Sequence, residues 1–164
     1  MREGENVLDF GCNKGNYTIP AAMIVGERGT VYAVDKDKAR LRDLKRTAKK
    51  QGLENIEVIH LKEDHDIPLS MACVDVVLLY DVLHRGYLPE ASQRERLLRR
   101  LRRVLKPGGL LSCYPTHLRQ YNLTLKQLVK EVESTSFRLR GKSRRTLIHD
   151  EKLVRGDVFS FSKC

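Results

Sequence analysis

The sequence predicts an α/β protein built on a doubly wound, mostly parallel sheet that ends in an antiparallel hairpin. Short apolar segments alternate along the chain with segments of helical periodicity, which is the pattern of a sheet covered by helices. The run Val74–Tyr80 is nearly all apolar, as expected of a central parallel strand buried on both faces. Segments 137–148 and 157–161 alternate only weakly and predict the terminal hairpin. A chain of 164 residues has room for one such domain, so we assign residues 1–164 to it.

The individual elements are delimited by turn and capping residues. Strands are predicted at Val7–Phe10, 30–34, 56–59, Val74–Tyr80 and 110–114. Helices are predicted over about 16–25, after the capping residue Asp37, over the arginine-rich segment 94–106, and after Thr124. Thr124 and Gln127 have the spacing of a capping box. Ligands of such sheets bind outside the carboxyl ends of the strands, so functional residues are expected there.

The net charge of +10 requires that anionic partners be considered. Basic residues concentrate in segments 36–50, 94–106 and 138–145. In the second segment, leucines recur at helical spacing and place the arginines largely on the opposite face. We interpret this face as solvated, with a nucleic-acid surface as the alternative. Aromatic residues that could stack on bases are not interleaved with these arginines, which weakens the RNA interpretation.

Neither a membrane nor an extracellular setting is expected for this chain. No apolar run has the ~20 residues of a membrane span, and no signal-peptide pattern follows Met1. The four cysteines are scattered and form no CxxC pair, so neither a disulfide framework nor a metal site is expected. We therefore expect a cytoplasmic protein with reduced thiols.

The turn after the first strand contains an acidic residue and two glycines. Asp9 lies in the strand end, and Gly11 and Gly15 are spaced GxxxG, with Asn13 where a dinucleotide motif would have its middle glycine. Asp9 is a poor neighbour for a pyrophosphate but a good one for the ammonium group of an amino acid. The turn therefore favours a cofactor with a zwitterionic head over a nicotinamide dinucleotide. A tight turn that binds no ligand is the alternative.

A second acidic residue, Asp35, ends the second strand, some two dozen residues after the glycine turn. A carboxylate at this position can accept hydrogen bonds from both hydroxyls of a ribose. As an alternative, Asp35 is simply a residue at the entry of a helix. Together, the two motifs are more specific than either alone, because both belong to one nucleoside-binding crevice.

At this level of detail the chain resembles the class I S-adenosylmethionine-dependent methyltransferases. VLDFGCNKG and VYAVDKD are similar to the first two motifs of that family, and IPLSMACVDVVLLYDVLH is similar to the segment with its adenine loop and fourth strand. RVLKPGGLL is the most specific piece, because dehydrogenases do not share it. The resemblance covers about residues 7–112 and implies a Rossmann-like methyltransferase fold, methyltransferase activity and S-adenosyl-L-methionine as cofactor.

The resemblance also implies roles for individual residues. Gly11, Cys12 and Gly15 would contact the methionine part of the cofactor, mostly by backbone, and Asp9 would face its amino group. Asp35 would hold the ribose, and Lys36 would lie beside the adenine. Either Glu63 or Asp64 would reach the adenine amino group. Asp81 and His84, at the end of the fourth strand, would lie near the transferred methyl group.

The sequence gives less information about the methyl acceptor than about the cofactor. His84 is the best-placed candidate for a base, although a packed or capping histidine at a strand end is an equally good interpretation. The chain lacks the Asn/Asp-Pro-Pro-aromatic run of exocyclic base amine methyltransferases. We expect a small-molecule acceptor, with RNA or protein as the second choice and a non-catalytic cofactor-binding module as the competing class.

Two departures from the family pattern carry expectations of their own. Asn13 replaces a usual glycine, which predicts a pinched loop and a reduced affinity for the cofactor. The N-terminal helices that usually precede the first strand are absent from this sequence. We therefore expect an open crevice with His84 near its rim. Apolar surface left uncovered at this site would favour pairing in a homodimer.

Overall fold

The computed structural model describes residues 1–62, 66–84, 86–118, 123–149 and 152–164. In chain order the elements are β1 Val7–Phe10, α1 Thr18–Val25, β2 Val31–Asp35, α2 Lys38–Lys50, β3 Ile56–His60, β4 Val74–Tyr80, α3 Ala91–Val104, β5 Leu105–Tyr114, α4 Leu125–Glu133, β6 Phe137–His149 and β7 Lys152–Lys163. Within these ranges, seven strands form one sheet in the order β3-β2-β1-β4-β5-β7-β6.

The sheet is parallel except at its C-terminal edge. β1 pairs in parallel with β2 and β4, β2 with β3, and β4 with β5. β7 runs antiparallel to both β5 and β6. The predicted doubly wound sheet with a terminal antiparallel hairpin is therefore confirmed. Since β6 runs in the same direction as β5, its last residue, His149, lies at the sheet edge where the parallel strands also end.

Helices cover both faces of the sheet, and the central strand β4 shows why. Val77 and Leu79 face the core beneath α3 and α4, where Leu98 and Leu101 also pack. The alternate residues of β4, Val76 and Leu78, face the second core with the buried residues of α1. A strand covered on both sides needs apolar residues at every position, which explains the continuous apolar run. No helix in the described part of the chain is long and apolar enough to cross a membrane.

The capping residues read from the sequence have their predicted partners. The Asp37 side chain accepts hydrogen bonds from the backbone N–H groups of Ala39 and Arg40, which fixes the start of α2. Thr124 and Gln127 form the predicted capping box at the start of α4. Leu41, Leu44 and Ala48 form the buried face of α2.

The structure of the lysine-proline-glycine-glycine segment, residues 106–109, differs from the one that we predicted. It was expected only to end a helix, but β5 already begins at Leu105, five residues before the predicted start. Val74 pairs with Leu105 and Val76 with Leu110, so the segment forms a bulge in β5. The Lys106 ammonium holds the bulge by donating to both carboxylate oxygens of Asp75, at 2.7 and 2.8 Å.

The interpretation of the arginine-rich helix as a solvated face is wrong for much of α3. Arg94 is 1% exposed. The Arg103 guanidinium donates to the carbonyl oxygens of Ile67 and Leu69, and that of Arg102 donates to those of Ser136 and Cys164. Arg103 satisfies partly buried carbonyl groups, and Arg102 binds carbonyl groups at the surface. A helical-wheel pattern cannot reveal either role. Arg99, in contrast, is exposed and pairs with Glu95 one turn earlier.

Candidate functional site

A crevice of about 670 Å³ opens at the carboxyl ends of the parallel strands, and we call it the strand-end crevice. Its walls come from the loops after β1, β2 and β4 and from the end of β6, and they include Asp9, Gly11, Cys12, Asn13, Tyr17, Asp35, Lys36, Asp81, His84, Tyr87, Ile148 and His149. A second cavity of about 320 Å³, the side cavity, is lined by residues such as Phe10, Leu61, Leu88, Leu97 and Arg100. Gly11, Asp35, Lys36 and Tyr87 line both spaces, so the two are neighbours.

Asp9 supplies a carboxylate at the floor of the strand-end crevice. It is 2% exposed and accepts a 2.6 Å hydrogen bond from the hydroxyl of Thr18, the first residue of α1. The pKa of Asp9 is raised to about 6, mainly by burial and to a smaller extent by the charge of Asp35, while the hydrogen bond from Thr18 opposes the shift. A buried carboxylate that is costly to ionise is suited to a cationic ligand group, which would restore the missing countercharge.

The glycines of the first loop are required by the backbone and by packing. Gly11 and Gly15 have φ values of +79° and +93°, which favour glycine. A Cβ on Gly11 would lie 2.7 Å from Val82 Cγ2, and one on Gly15 would lie 2.4 Å from Leu44 Cδ1. Gly11 lines the crevice as predicted, whereas Gly15 is buried and is not among its lining residues. Gly15 therefore makes room for a helix side chain.

Asn13 fits the position where the resemblance leads us to expect a glycine. Its φ of +51° lies in the left-handed region, which asparagine tolerates better than most residues. The Asn13 N–H donates to Asp35 Oδ2 at 2.8 Å, and the N–H groups of Gly11 and Cys12 donate to the carbonyl oxygen of Val34. The first loop is thus tied to the end of β2 by three hydrogen bonds.

Asp35 occupies the junction of the strand-end crevice and the side cavity. Its Oδ1 accepts from the N–H of Asp37 at 2.9 Å, and its Oδ2 accepts from Asn13. Each oxygen has a second lone pair, so the carboxylate can still accept hydrogen bonds from a ligand. Lys36 lies beside it, with Nζ 4.6 Å from the centre of the Tyr87 ring. The predicted adenine contacts Glu63 and Asp64 lie outside the described residues.

His84 lines the crevice, but its ring forms hydrogen bonds with the backbone of the turn that follows it. Nδ1 accepts hydrogen bonds from the N–H groups of Gly86 and Tyr87, at 3.1 and 3.2 Å. In a neutral imidazole the other nitrogen then carries the proton, and Nε2 lies 3.7 Å from Asp81 Oδ1. Burial lowers the pKa of His84, which favours this neutral form. The geometry favours the capping interpretation over a general base, because no lone pair is left to take a proton.

Two further histidines, His117 and His149, lie beside Asp81 and were not among the site residues predicted from the sequence. His149 Nδ1 lies 3.2 Å from Asp81 Oδ2, and His117 Nε2 lies 4.0 Å from Asp81 Oδ1. Both follow a strand that ends at the functional edge: His117 comes three residues after β5, and His149 is the last residue of β6. Applying the strand-end rule to the hairpin, once its direction is known, would have found them.

Tyr17 binds the end of β6 to the loop after β1 at the strand-end crevice. Its hydroxyl donates to the carbonyl oxygen of Ile148 at 3.0 Å and accepts from the N–H of the same residue at 2.9 Å. The Tyr17 ring also packs edge-on against Tyr80, with 4.6 Å between the centroids. Burial raises the pKa of Tyr17 to about 12, so the hydroxyl keeps its proton at neutral pH.

Replacing Tyr17 with phenylalanine is expected to loosen the end of β6. The Tyr17→Phe variant loses two hydrogen bonds, so we expect the free energy of unfolding to fall by about 1–2 kcal/mol in a urea titration. Tyr32→Phe is the matched control, because the Tyr32 hydroxyl makes no hydrogen bond to the described residues. Faster amide exchange at Ile148 should accompany the loss, and equal stabilities of the two variants would contradict this role of Tyr17.

Residues 1–155 match the family model of a methyltransferase domain. The chain belongs to this methyltransferase domain family. It is 32% identical over 116 residues to a demethylmenaquinone methyltransferase of Listeria welshimeri, an alignment that covers 71% of this chain and 47% of the relative. The methyltransferase domain therefore spans about half the length of the curated relatives that it matches.

The fold is shared with solved structures of S-adenosylmethionine-dependent methyltransferases. One from Methanosarcina mazei is 18% identical with a TM-score of 0.80, covering 99% of this chain and 94% of that one. Another, from Aquifex aeolicus, is 23% identical with a TM-score of 0.78, covering 99% and 84% of the two chains. The Rossmann-like fold predicted from the motifs is confirmed, and S-adenosylmethionine is the cofactor that goes with this family.

Proposed function

We propose that this domain transfers a methyl group from S-adenosylmethionine to a small-molecule acceptor. The observation that carries the proposal is the placement of two carboxylates along one continuous space. Asp9 lies at the floor of the strand-end crevice, and Asp35 lies where the crevice meets the side cavity. An amino acid joined to a nucleoside has its ammonium group and its ribose hydroxyls in this same order.

The described residues fit each part of such a cofactor. The buried carboxylate of Asp9 would face the ammonium group, and the second lone pairs of Asp35 would accept from the ribose hydroxyls. The side cavity offers apolar side chains such as Phe10, Leu61 and Leu97 for the adenine. Cys12 would pack against the methionine part by shape, since its N–H is already bound to Val34. When bound, the cofactor supplies an activated methyl group on a sulfonium.

The chain's part in the reaction is alignment of the acceptor. Methyl displacement depends mainly on holding the nucleophile in line with the methyl carbon and the sulfur. Asp81 and His84 line the crevice beyond the loop after β1, where an acceptor would enter. We assign His84 the role of a donor through Nε2–H that orients the acceptor or Asp81, and Asp81 that of an acceptor of hydrogen bonds.

Two observations support a small molecule over RNA or protein as acceptor. The curated relative is named for a small quinone substrate, and several arginines of α3 bind backbone carbonyls of this chain and so are not spread over a nucleic-acid surface. The non-catalytic module remains the competing class. A cytoplasmic location and a homodimer complete the proposal. Light scattering tests the homodimer.

Replacing Asp35 is expected to weaken cofactor binding. In calorimetry with S-adenosylhomocysteine, Asp35→Ala should lose about 1–3 kcal/mol of binding free energy, the scale of charge-assisted hydrogen bonds. Asp43→Ala is the matched control, because Asp43 lies on the exposed side of α2 and pairs with Arg46. Nicotinamide dinucleotides should not bind. Tight binding of a nicotinamide dinucleotide without a response to S-adenosylhomocysteine would overturn the proposal.

A further inference from the structure

Three side chains with metal-binding atoms converge beside the strand-end crevice. Asp81 follows β4, His117 follows β5, and His149 ends β6. One ligand atom of each lies within 4.8 Å of the other two. We propose that Asp81, His117 and His149 form a binding site for one divalent transition-metal ion. The scattered cysteines predicted no metal site, because cysteine spacing does not reveal a site assembled from the ends of three strands.

The distances are close to those of a bound ion. Imidazole nitrogens and carboxylate oxygens bind Zn²⁺ at about 2.0–2.2 Å, which sets neighbouring ligand atoms roughly 3–3.5 Å apart in tetrahedral geometry. Asp81 Oδ2 and His149 Nδ1 are already 3.2 Å apart. Asp81 Oδ1 and His117 Nε2 are 4.0 Å apart, and the three ligand atoms lie within 4.8 Å of one another, so the His117 ring must move closer to the other two ligands to bind the same ion.

The backbone holds these residues in unusual positions. Asp81 and His117 have φ values of +58° and +55°, in the left-handed region that costs most L-residues about 1–2 kcal/mol. The Asp81 N–H donates to the carbonyl oxygen of Tyr114 at 2.9 Å, which ties the end of β4 to the end of β5. The Tyr17 hydroxyl fixes Ile148 next to His149. The three ligands are therefore placed by the fold.

His84 provides the outer-shell contact that such sites use. Because its Nδ1 accepts from two backbone N–H groups, Nε2 carries a proton and faces Asp81 Oδ1 across 3.7 Å. A proton on Nε2 keeps His84 from ligating an ion but lets it orient the carboxylate that does. Its ring also lies edge-on to that of His117, with 5.6 Å between the centroids.

The ligand atoms indicate which class of metal ion would bind and what the bound ion could do. Two imidazoles and one carboxylate suit ions such as Zn²⁺, Co²⁺ and Fe²⁺ better than Mg²⁺ or Ca²⁺. Three protein ligands leave further coordination positions for water or substrate. Asp81 and His149 both line the strand-end crevice, so these positions face the acceptor side. An acceptor hydroxyl bound there would lose its proton to water more readily, a role that rests on the proposed function.

Titration of the metal-free full chain with Co²⁺ tests the site, since bound Co²⁺ is read by its visible absorption. We expect saturation at one ion per chain. His117→Ala and His149→Ala should each weaken binding by more than the 10–100-fold of an outer-shell change, and His84→Ala should fall within that range. His60→Ala is the matched control, because His60 is exposed at the end of β3. The Co²⁺ affinity of this variant should equal that of the parent.

The possible outcomes distinguish a loss of metal binding from unfolding of the variant and from a loss of cofactor binding. Asp81→Asn keeps the size of the side chain and tolerates a positive φ, so it tests the carboxylate without unfolding the turn. Equal Co²⁺ affinity in the parent, Asp81→Asn and His149→Ala would overturn the site, as would an equal loss in His60→Ala. S-adenosylhomocysteine calorimetry on the same samples is read independently. Cofactor binding without Co²⁺ binding rejects the metal site alone, and the reverse result rejects the proposed function alone.

Discussion

Binding of S-adenosylhomocysteine is expected to weaken roughly tenfold for each pH unit below about 6. The reason is Asp9, whose pKa burial raises to about 6. An ammonium group binds the ionised carboxylate, so below this pH a proton must first leave Asp9 and the affinity falls with the ionised fraction. Calorimetry between pH 4.5 and 8 should therefore show a plateau above about pH 7 and a decline below pH 6.

The Asp9→Asn variant isolates this titration. Asparagine keeps the shape of the side chain, and its carbonyl oxygen can still accept from the Thr18 hydroxyl. We expect weaker binding at pH 8 and a nearly flat pH profile, because no proton is then coupled to the ligand at this position. A decline below pH 6 that persists in Asp9→Asn would assign the pH dependence to another group.

The same substitution should stabilise the protein free of ligand. Because the folded pKa of Asp9 lies above its ordinary value of 3.8, the folded state binds the proton more tightly than the unfolded chain does. The stability linked to Asp9 is present below pH 3.8 and is lost as the pH rises through about 6, by up to roughly 3 kcal/mol. Above pH 6, Asp9→Asn should therefore unfold at a higher urea concentration than the parent, despite its weaker binding.

The sequence predicted the residues that lie at the ends of strands with a clear apolar pattern. Asp9 and Asp35 lie near the ends of β1 and β2, Gly11 directly follows β1, and parallel strands bring such ends to one edge of a sheet. Asn13 was expected to pinch the first loop, but it adopts the left-handed conformation and joins the loop to Asp35. Comparison with the motif shows only that asparagine is unusual at this position. The φ angle of the residue in the structure shows that the turn tolerates it.

Residues whose roles depend on distant partners could not be predicted in this way. Tyr17 and Ile148 are separated by 131 positions, and their hydrogen bonds exist only after the hairpin has folded against β5. Arg103 was predicted to be solvated because two of its partners are backbone carbonyls, which leave no trace in a side-chain pattern, and its third partner, Asp66, lies outside the helix. The cluster around Asp81 has the same origin, since three strands must be in register before His117 and His149 approach it.

Arg94→Ala is expected to lower the free energy of unfolding by about 3–5 kcal/mol, because it removes a buried guanidinium from an ion pair whose other side chain, Glu131, is 27% exposed. Arg94 donates to both carboxylate oxygens of Glu131, at 2.7 and 2.9 Å, and joins α3 to α4. It also donates to the carbonyl oxygens of Leu88 and Pro89, at 2.7 and 3.1 Å. Arg99→Ala, the matched control on the same helix, removes an exposed pair with Glu95 and should cost no more than about 1 kcal/mol.

A double variant separates the two roles of Arg94. In Arg94→Met with Glu131→Leu, apolar side chains replace the ion pair, which restores part of the lost stability because no charge is left unpaired. The carbonyl groups of Leu88 and Pro89 remain without Arg94, and both residues line the side cavity. We therefore expect binding of S-adenosylhomocysteine to be weaker than in the parent in Arg94→Ala and also in the double variant, although the double variant recovers stability. Binding should remain at the parent level in Arg99→Ala. Recovery of both properties together would show that Arg94 acts only through Glu131 and that the wall of the side cavity does not depend on it.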